Sequence, residues 1–452
     1  MKITQTVLLI LLSAPLLIQF SSGAKILSIN FISSKSHFIV YSPLLYGLAD
    51  RGHEVTIFTP DPPGEARKNV RHIQVYDTKA VANKTLNLYT QREQTGNVWK
   101  YLNCNFWSFL SYVEAGCRRG FEHPFTNELL KENFDLVILT PLYNECLYGL
   151  LHKMNVSVVL FNQVSILPWQ AESFGAPTLP AFSPLLYYGF SDQMNFVERV
   201  INFLGMVYFE GVLEFYYNPA MERLYREYVD AKAPPLKEIE RNSSLILANS
   251  HIAFVPPRPM MPDIIEVGGL HLRPPNSLPK VCQISIKKVP KVHNFNDSVF
   301  LRQELQEFCD STGKEGFILF SMGSFLQGSS MPEKYRQIFL NTFAKLKQKV
   351  LWKWETESME DLPPNVRLIK WLPQQDVLSH KNIRMFITHG GHGGVTEGLY
   401  AGVPLLGIPM FSDQFWNMEQ AERKGFGISL PFNELSEERL VQAVNQILGD
   451  KR

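Results

Sequence analysis

Two doubly wound α/β domains facing each other across a cleft are the fold this sequence predicts. Three observations carry the prediction. A strand–helix–strand pattern begins after residue 24, a second begins near residue 316, and 452 residues exceed what one core normally organises. Lys25 to Phe31 reads as a buried strand, and the polar turn Ser33-Ser34-Lys35-Ser36-His37 leads into a helix through Ala49. Arg51-Gly52-His53 ends that helix with a glycine, and Glu54 to Thr59 is the second strand. Further strands are expected at 136–139, 156–161 and 245–248, then at 316–320, 350–354, 366–369 and 385–388. The boundaries expected from this pattern are 1–24 as a leader, 25–265, a linker 266–315, and 316–452.

Composition excludes several classes of function. Hydrophobic content of 45% with 19% charged residues suits a globular chain, and a net charge of +1 gives no electrostatic case for nucleic acid. Lys2, the apolar run Val7–Phe20 and the small residues Ser22-Gly23-Ala24 read as a secretory signal peptide. Sequons at Asn83, Asn155, Asn242 and Asn296 agree with a lumenal protein. The five cysteines, Cys104, Cys117, Cys146, Cys282 and Cys309, have no zinc spacing, and no disulfide is assigned to them. There is no Asp-x-Asp and no clustered His/Cys set, so no metal site is expected. Two aromatic-rich segments stand out, one with Trp99, Tyr101, Phe106, Trp107 and Phe109, the other running from Tyr187 to Tyr216. Most of these rings suit helices packed in a core, while the segments as wholes suit an apolar acceptor pocket.

The chemistry concentrates at His389-Gly390-Gly391-His392-Gly393-Gly394, which follows the strand Met385–Thr388. Four glycines in six positions let backbone approach a ligand closely. A helix from Val395 to Ala401 would then aim free N–H groups at a pyrophosphate, with His389 as an added donor. Glu397, read as lying in the first helical turn, can accept from ribose hydroxyls. Asp413 and Gln414 suit several adjacent sugar hydroxyls, while Trp371 can stack on a base with Gln374 beside it. A nicotinamide oxidoreductase is disfavoured, since no GxGxxG follows the first strand.

From Trp371 to Asn417, nearly fifty residues, the chain resembles the signature of the UDP-glycosyltransferases, the animal branch in particular. The resemblance implies a GT-B fold, with a small lipophilic acceptor held by the first domain and a UDP-sugar, as co-substrate rather than cofactor, held by the second. It implies an inverting transfer of glucose or glucuronic acid in the endoplasmic reticulum lumen, and it leaves a homo-oligomer open. By the same resemblance His37 is the base that deprotonates the acceptor, and Ser324, Gly391 and Gly394 lie against the diphosphate. Gly394 stands where the family usually has Ser. The acid that normally orients the base is replaced by Thr140, and Glu145 is the nearest carboxylate that could substitute. A weakly catalytic UDP-sugar carrier is therefore the alternative. Val281–Phe300 departs from the family pattern, as either a solvated loop or an unspliced segment. The chain ends at Arg452, before the membrane helix that animal members carry, so a membrane anchor is expected in the full-length protein but not in this sequence.

Overall fold

The computed structural model describes residues 23–77, 89, 92, 106–275, 304–324 and 326–449. The leader, the segment 281–300, Asn83, Asn296, Cys104 and Cys282 lie outside the described residues. Two parallel sheets dominate the fold. The first has the order β3-β2-β1-β4-β5-β6-β7, from β1 (Lys25–Ile29), β2 (Glu54–Thr59), β3 (Val70–Gln74), β4 (Leu136–Leu139), β5 (Ser157–Asn162), β6 (Leu245–Ala248) and β7 (Ile264–Glu266). The second has the order β10-β9-β8-β11-β12-β13, from β8 (Phe317–Ser321), β9 (Lys349–Lys353), β10 (Val366–Ile369), β11 (Ile383–Thr388), β12 (Leu405–Gly407) and β13 (Gly427–Ser429). All five residues of β8 are buried, because helices cover both faces of a parallel sheet and leave no solvated side.

In both sheets strand order reverses beside the first strand, between β1 and β4 and between β8 and β11. Chain leaving those strand pairs at their carboxyl ends diverges and opens a crevice, the usual ligand position in such sheets. Asn144 fixes the first crevice, its Oδ1 accepting from the N–H groups of Phe31 and Ile32 at 2.7 Å each. Asp135 pins the strand entry by accepting from the Lys25 N–H at 2.7 Å.

The helix α1 (Lys35–Asp50) begins inside the polar turn, at Lys35, rather than after His37. Ser34 caps it by accepting from the His37 N–H at 3.3 Å, so His37 belongs to the first helical turn. Gly52, at φ +95°, closes the other end in the left-handed region. Farther on, α2 (Phe106–Glu122) is joined to the turn after β4 by a Cys117–Cys146 disulfide, while Cys309 is free and buried.

The aromatic segment from Tyr187 to Tyr216 divides. Tyr188 and Phe190 are buried, but in α3 (Phe196–Val212) and just after it Phe196, Phe203, Tyr208, Phe215 and Tyr216 face solvent. Helical periodicity reports that one face differs from another; it does not say which face meets protein. The two domains share a core in which Leu167, Leu186, Phe254 and Val255 pack with Phe317, Leu319 and Trp416. Arg423 reaches Asp192 across that contact at 2.6 Å. No helix among the described residues is long and apolar enough to cross a membrane.

The disulfide closes a loop of sequence separation 29. Replacing both Cys117 and Cys146 by Ala should lower stability by about 2–4 kcal/mol, read from the denaturant midpoint.

Candidate active site

The two crevices open onto one cleft of about 500 Å³, within the range of small-molecule sites. The first domain contributes Ser33, Ser34, Ser36 and His37 from the end of β1, and Leu142 and Tyr143 from the end of β4. The second contributes Gly323 and Ser324 after β8, and His389 to Gly394 after β11. Trp371, Gln374, Glu397, Asp413 and Gln414 line the same cleft, so every sequence-predicted site residue is brought to it except Glu145.

The glycine turn is more tightly built than its sequence suggested. Gly390 sits at φ +83°, and a Cβ there would lie 2.7 Å from Met418 Cγ. Helix α4 (His392–Tyr400) starts inside the glycine run, capped by Gly391, and not at Val395. The N–H groups left free at its start therefore belong to Gly393 and Gly394, since that of His392 donates to Asp413 Oδ2, and Glu397 falls in the second turn. Chain bending at Gly390 and Gly391 lets the helix begin that early.

Glu397 is buried, and its carboxylate accepts from Gln374 Nε2 at 2.5 Å and Gln375 Nε2 at 3.3 Å. Burial raises its pKa against those bonds. Gln374 is thereby locked beside Trp371, which is 41% exposed. The ammonium of Lys35 stands 3.3 Å from the Trp371 ring centroid, on the ring that a base would use for stacking. His389 is half-buried beside Lys353; desolvation and that cation lower its pKa to about 4, so its imidazole is neutral. Its Nδ1 and the Ser324 Oγ are buried polar atoms without a partner among the described residues. Both line the cleft, where a bound diphosphate could satisfy them.

Asp413 is fixed from two sides. Its Oδ2 accepts from Asn417 Nδ2 at 2.6 Å and from the His392 N–H at 3.3 Å. Gln414 uses its Oε1 on the N–H groups of Met410 and Phe411, at 2.9 and 3.2 Å. That leaves the Asp413 Oδ1 and the Gln414 amide NH2 as the groups for a ligand.

On the opposite wall, desolvation lowers the pKa of half-buried His37 to about 4. Its ring has no hydrogen-bond partner among the described residues. Thr140 is buried and engaged elsewhere, its hydroxyl and its N–H both donating to Asn30 Oδ1, the latter at 3.1 Å. Asn30 in turn donates to the Tyr41 hydroxyl at 2.8 Å. Glu145 does not take the acid's place. It lies in the short 3-10 turn Glu145–Leu147, accepting from the Tyr217 hydroxyl, and burial pushes its pKa up to about 8. Sequence proximity to Thr140 misled because the turn carries Glu145 away from the cleft.

Sequence reading missed Lys35, Lys353, Asn30, Tyr143 and Tyr187. The alternation Lys349-Val-Leu-Trp-Lys353 hinted that a strand end carries a cation; nothing local singled out the others.

A family profile described as "UDP-glucoronosyl and UDP-glucosyl transferase" matches residues 24–452. The chain belongs to the UDP-glycosyltransferase family. It is 32% identical over 446 residues to UDP-glucosyltransferase 2 of Dactylopius coccus, covering 98% of this chain and 81% of that protein. It is 30% identical over 468 residues to UDP-glucuronosyltransferase 2B15 of Homo sapiens, covering 100% of this chain and 82% of that one. Among solved structures it resembles the glycosyltransferase of kitacinnamycin, with TM-score 0.58, 17% identity and coverage of 95% of this chain and 92% of that one. A spinosyn forosaminyltransferase gives TM-score 0.56 at 16% identity, covering 94% and 90%. These likenesses show the GT-B fold, and the family match makes the chain a UDP-sugar-dependent glycosyltransferase.

A Cβ on Gly394 would meet Gln374, Phe386 and Thr388 only at 3.6 Å, whereas one on Gly391 would lie 2.5 Å from His389 Nε2. Gly394→Ser should therefore fold normally and tighten UDP binding about threefold to tenfold by adding a hydroxyl donor to phosphate. Gly391→Ala should weaken it about tenfold by displacing His389. Isothermal titration with UDP checks both.

Proposed function

We propose that the enzyme moves a hexose from a UDP-sugar to a small lipophilic acceptor with inversion at the anomeric carbon. His37 takes the proton of the acceptor hydroxyl, and the acceptor oxygen attacks the anomeric carbon. The bond from that carbon to the β-phosphate oxygen breaks, and UDP leaves with its electron pair. The observation that carries this reading is a neutral base at one switch point facing a helix N-terminus at the other, within one cleft. Backbone N–H groups of Gly393 and Gly394, with Ser324 and His389, hold the departing diphosphate. Trp371 and Gln374 hold the uracil, with the base displacing Lys35 from the ring. Glu397 holds the ribose, and Asp413 with Gln414 the sugar.

Ile39, Val40, Tyr112, Val164, Tyr188 and Phe209 make the first-domain wall largely apolar, which supports the lipophilic acceptor. We assign the enzyme to the secretory pathway, specifically the endoplasmic reticulum lumen. Support comes from the disulfide and from the exposed sequon residues Asn155 and Asn242. The Thr140–Asn30 bond favours slow transfer relative to donor binding, since no carboxylate among the described residues orients the imidazole or stabilises its protonated form.

His37→Ala should lower turnover of a phenolic acceptor by about 10²–10⁴ while leaving UDP affinity unchanged. The base works only when neutral, so a pKa near 4 in place of the ordinary value shifts the acid limb downward. A pH–rate profile should stay level from about pH 8 to about pH 5 and fall by half near about pH 4. A half-point near about pH 6.5 would contradict the burial effect.

A further inference from the structure

Both relatives named above carry one of two donor sugars in their names, a neutral glucose or an anionic glucuronic acid. The corner around Asp413 distinguishes these chemically. Across from Asp413 stand Tyr143 and Tyr187, which line the cleft; Tyr187 opens the second aromatic segment, and no sequence pattern marked Tyr143. Tyr143 sits at φ +69°, a strained conformation for a bulky residue, and the crevice after β4 holds it there. Gly189, at φ +64°, brings the loop carrying Tyr187 against Phe415, where an added Cβ would lie 3.0 Å from the Phe415 Cβ. That contact seats Tyr187 next to the Asp413-Gln414-Phe415 corner. The Tyr143 and Tyr187 hydroxyls pair with each other, which leaves one O–H of the two to offer a ligand.

Charge at this corner is one-sided. The charged groups acting most strongly on Tyr143 and Tyr187 are the carboxylates of Asp413 and Glu145, while burial holds the His392 imidazole beside Asp413 toward its neutral form. The cations of the cleft lie at its other end. Lys353 donates to the Gly323 carbonyl at 2.8 Å, and Arg273 pairs with Asp376 at 2.7 and 2.8 Å. Lys35 stands over Trp371. Arg92 packs over the Phe415 ring at 4.9 Å, but it is not among the cleft-lining residues and is drawn to the carboxylate of Glu434. A sugar carboxylate at this corner would be desolvated against Asp413 with no cation to pair with among the described residues that line it, whereas neutral hydroxyls can both donate to Asp413 and accept from the tyrosine pair and Gln414.

We propose that Tyr143 and Tyr187 are the specificity-determining wall of the donor site and select a neutral UDP-hexose over a UDP-uronic acid. The proposal rests on the reading of Asp413 and Gln414 as the sugar contacts. Equilibrium titration of the full chain with UDP, UDP-glucose and UDP-glucuronic acid tests it without requiring turnover. UDP-glucose should bind at least about tenfold more tightly than UDP-glucuronic acid, with UDP alone reporting the nucleotide part. Tyr187→Phe should weaken UDP-glucose several-fold and leave UDP unchanged. Tyr187→Lys should shift the ratio toward UDP-glucuronic acid by at least about tenfold. Equal or tighter binding of UDP-glucuronic acid by the unaltered protein, with UDP bound normally, overturns this proposal alone. Failure to bind UDP at all overturns the donor-site reading and the proposal with it. The comparison in the unaltered protein stands even if Tyr187→Lys does not fold.

Discussion

A helix N-terminus can hold a diphosphate only if its bare N–H groups come within hydrogen-bond reach, and most of this donor site is arranged to permit that approach. The bend at Gly390 and Gly391 leaves no room for side chains, because Met418 and His389 fill the space a Cβ would take. Once α4 starts at His392, its first turn fixes Asp413 through the His392 N–H, and its second turn presents Glu397 to Gln374 and Gln375. Asp413 is then held by Asn417 as well, so diphosphate, ribose and sugar contacts descend from one backbone turn.

The opposite wall obeys a different constraint. The carboxyl ends of β1 and β4 carry Asn30 and Thr140, which satisfy each other and leave the His37 imidazole to solvent and substrate. Burial keeps that imidazole neutral, which suits a base. Nothing among the described residues stabilises the cation it becomes after accepting a proton, so the chemical step carries a cost that the donor site does not relieve.

The large features were legible in sequence because they are periodic or punctuated. Alternating and continuous apolar runs gave β1, β2, β4 and β6, and the glycine cluster marked the donor turn. The short strands Leu405–Gly407 and Gly427–Ser429 went unread since three residues carry no period, and Val70–Gln74 is an edge strand with a mixed pattern. The start of α4 was misplaced because glycine reads as loop by propensity, while here tertiary contact favours helix. Tyr143 was invisible, and Tyr187 was legible only as the start of an aromatic segment, for a plainer reason. Their importance depends on a left-handed turn and on a loop seated against the other domain, and neither leaves a local signature.

The account's central claim is that donor recognition is complete while the base lacks its acid. Single-turnover kinetics of Thr140→Asp at saturating UDP-sugar, alongside donor titration, tests it most directly. The account predicts a chemical step at least about tenfold faster with donor affinity unchanged. A folded, donor-binding variant whose rate does not rise would contradict it.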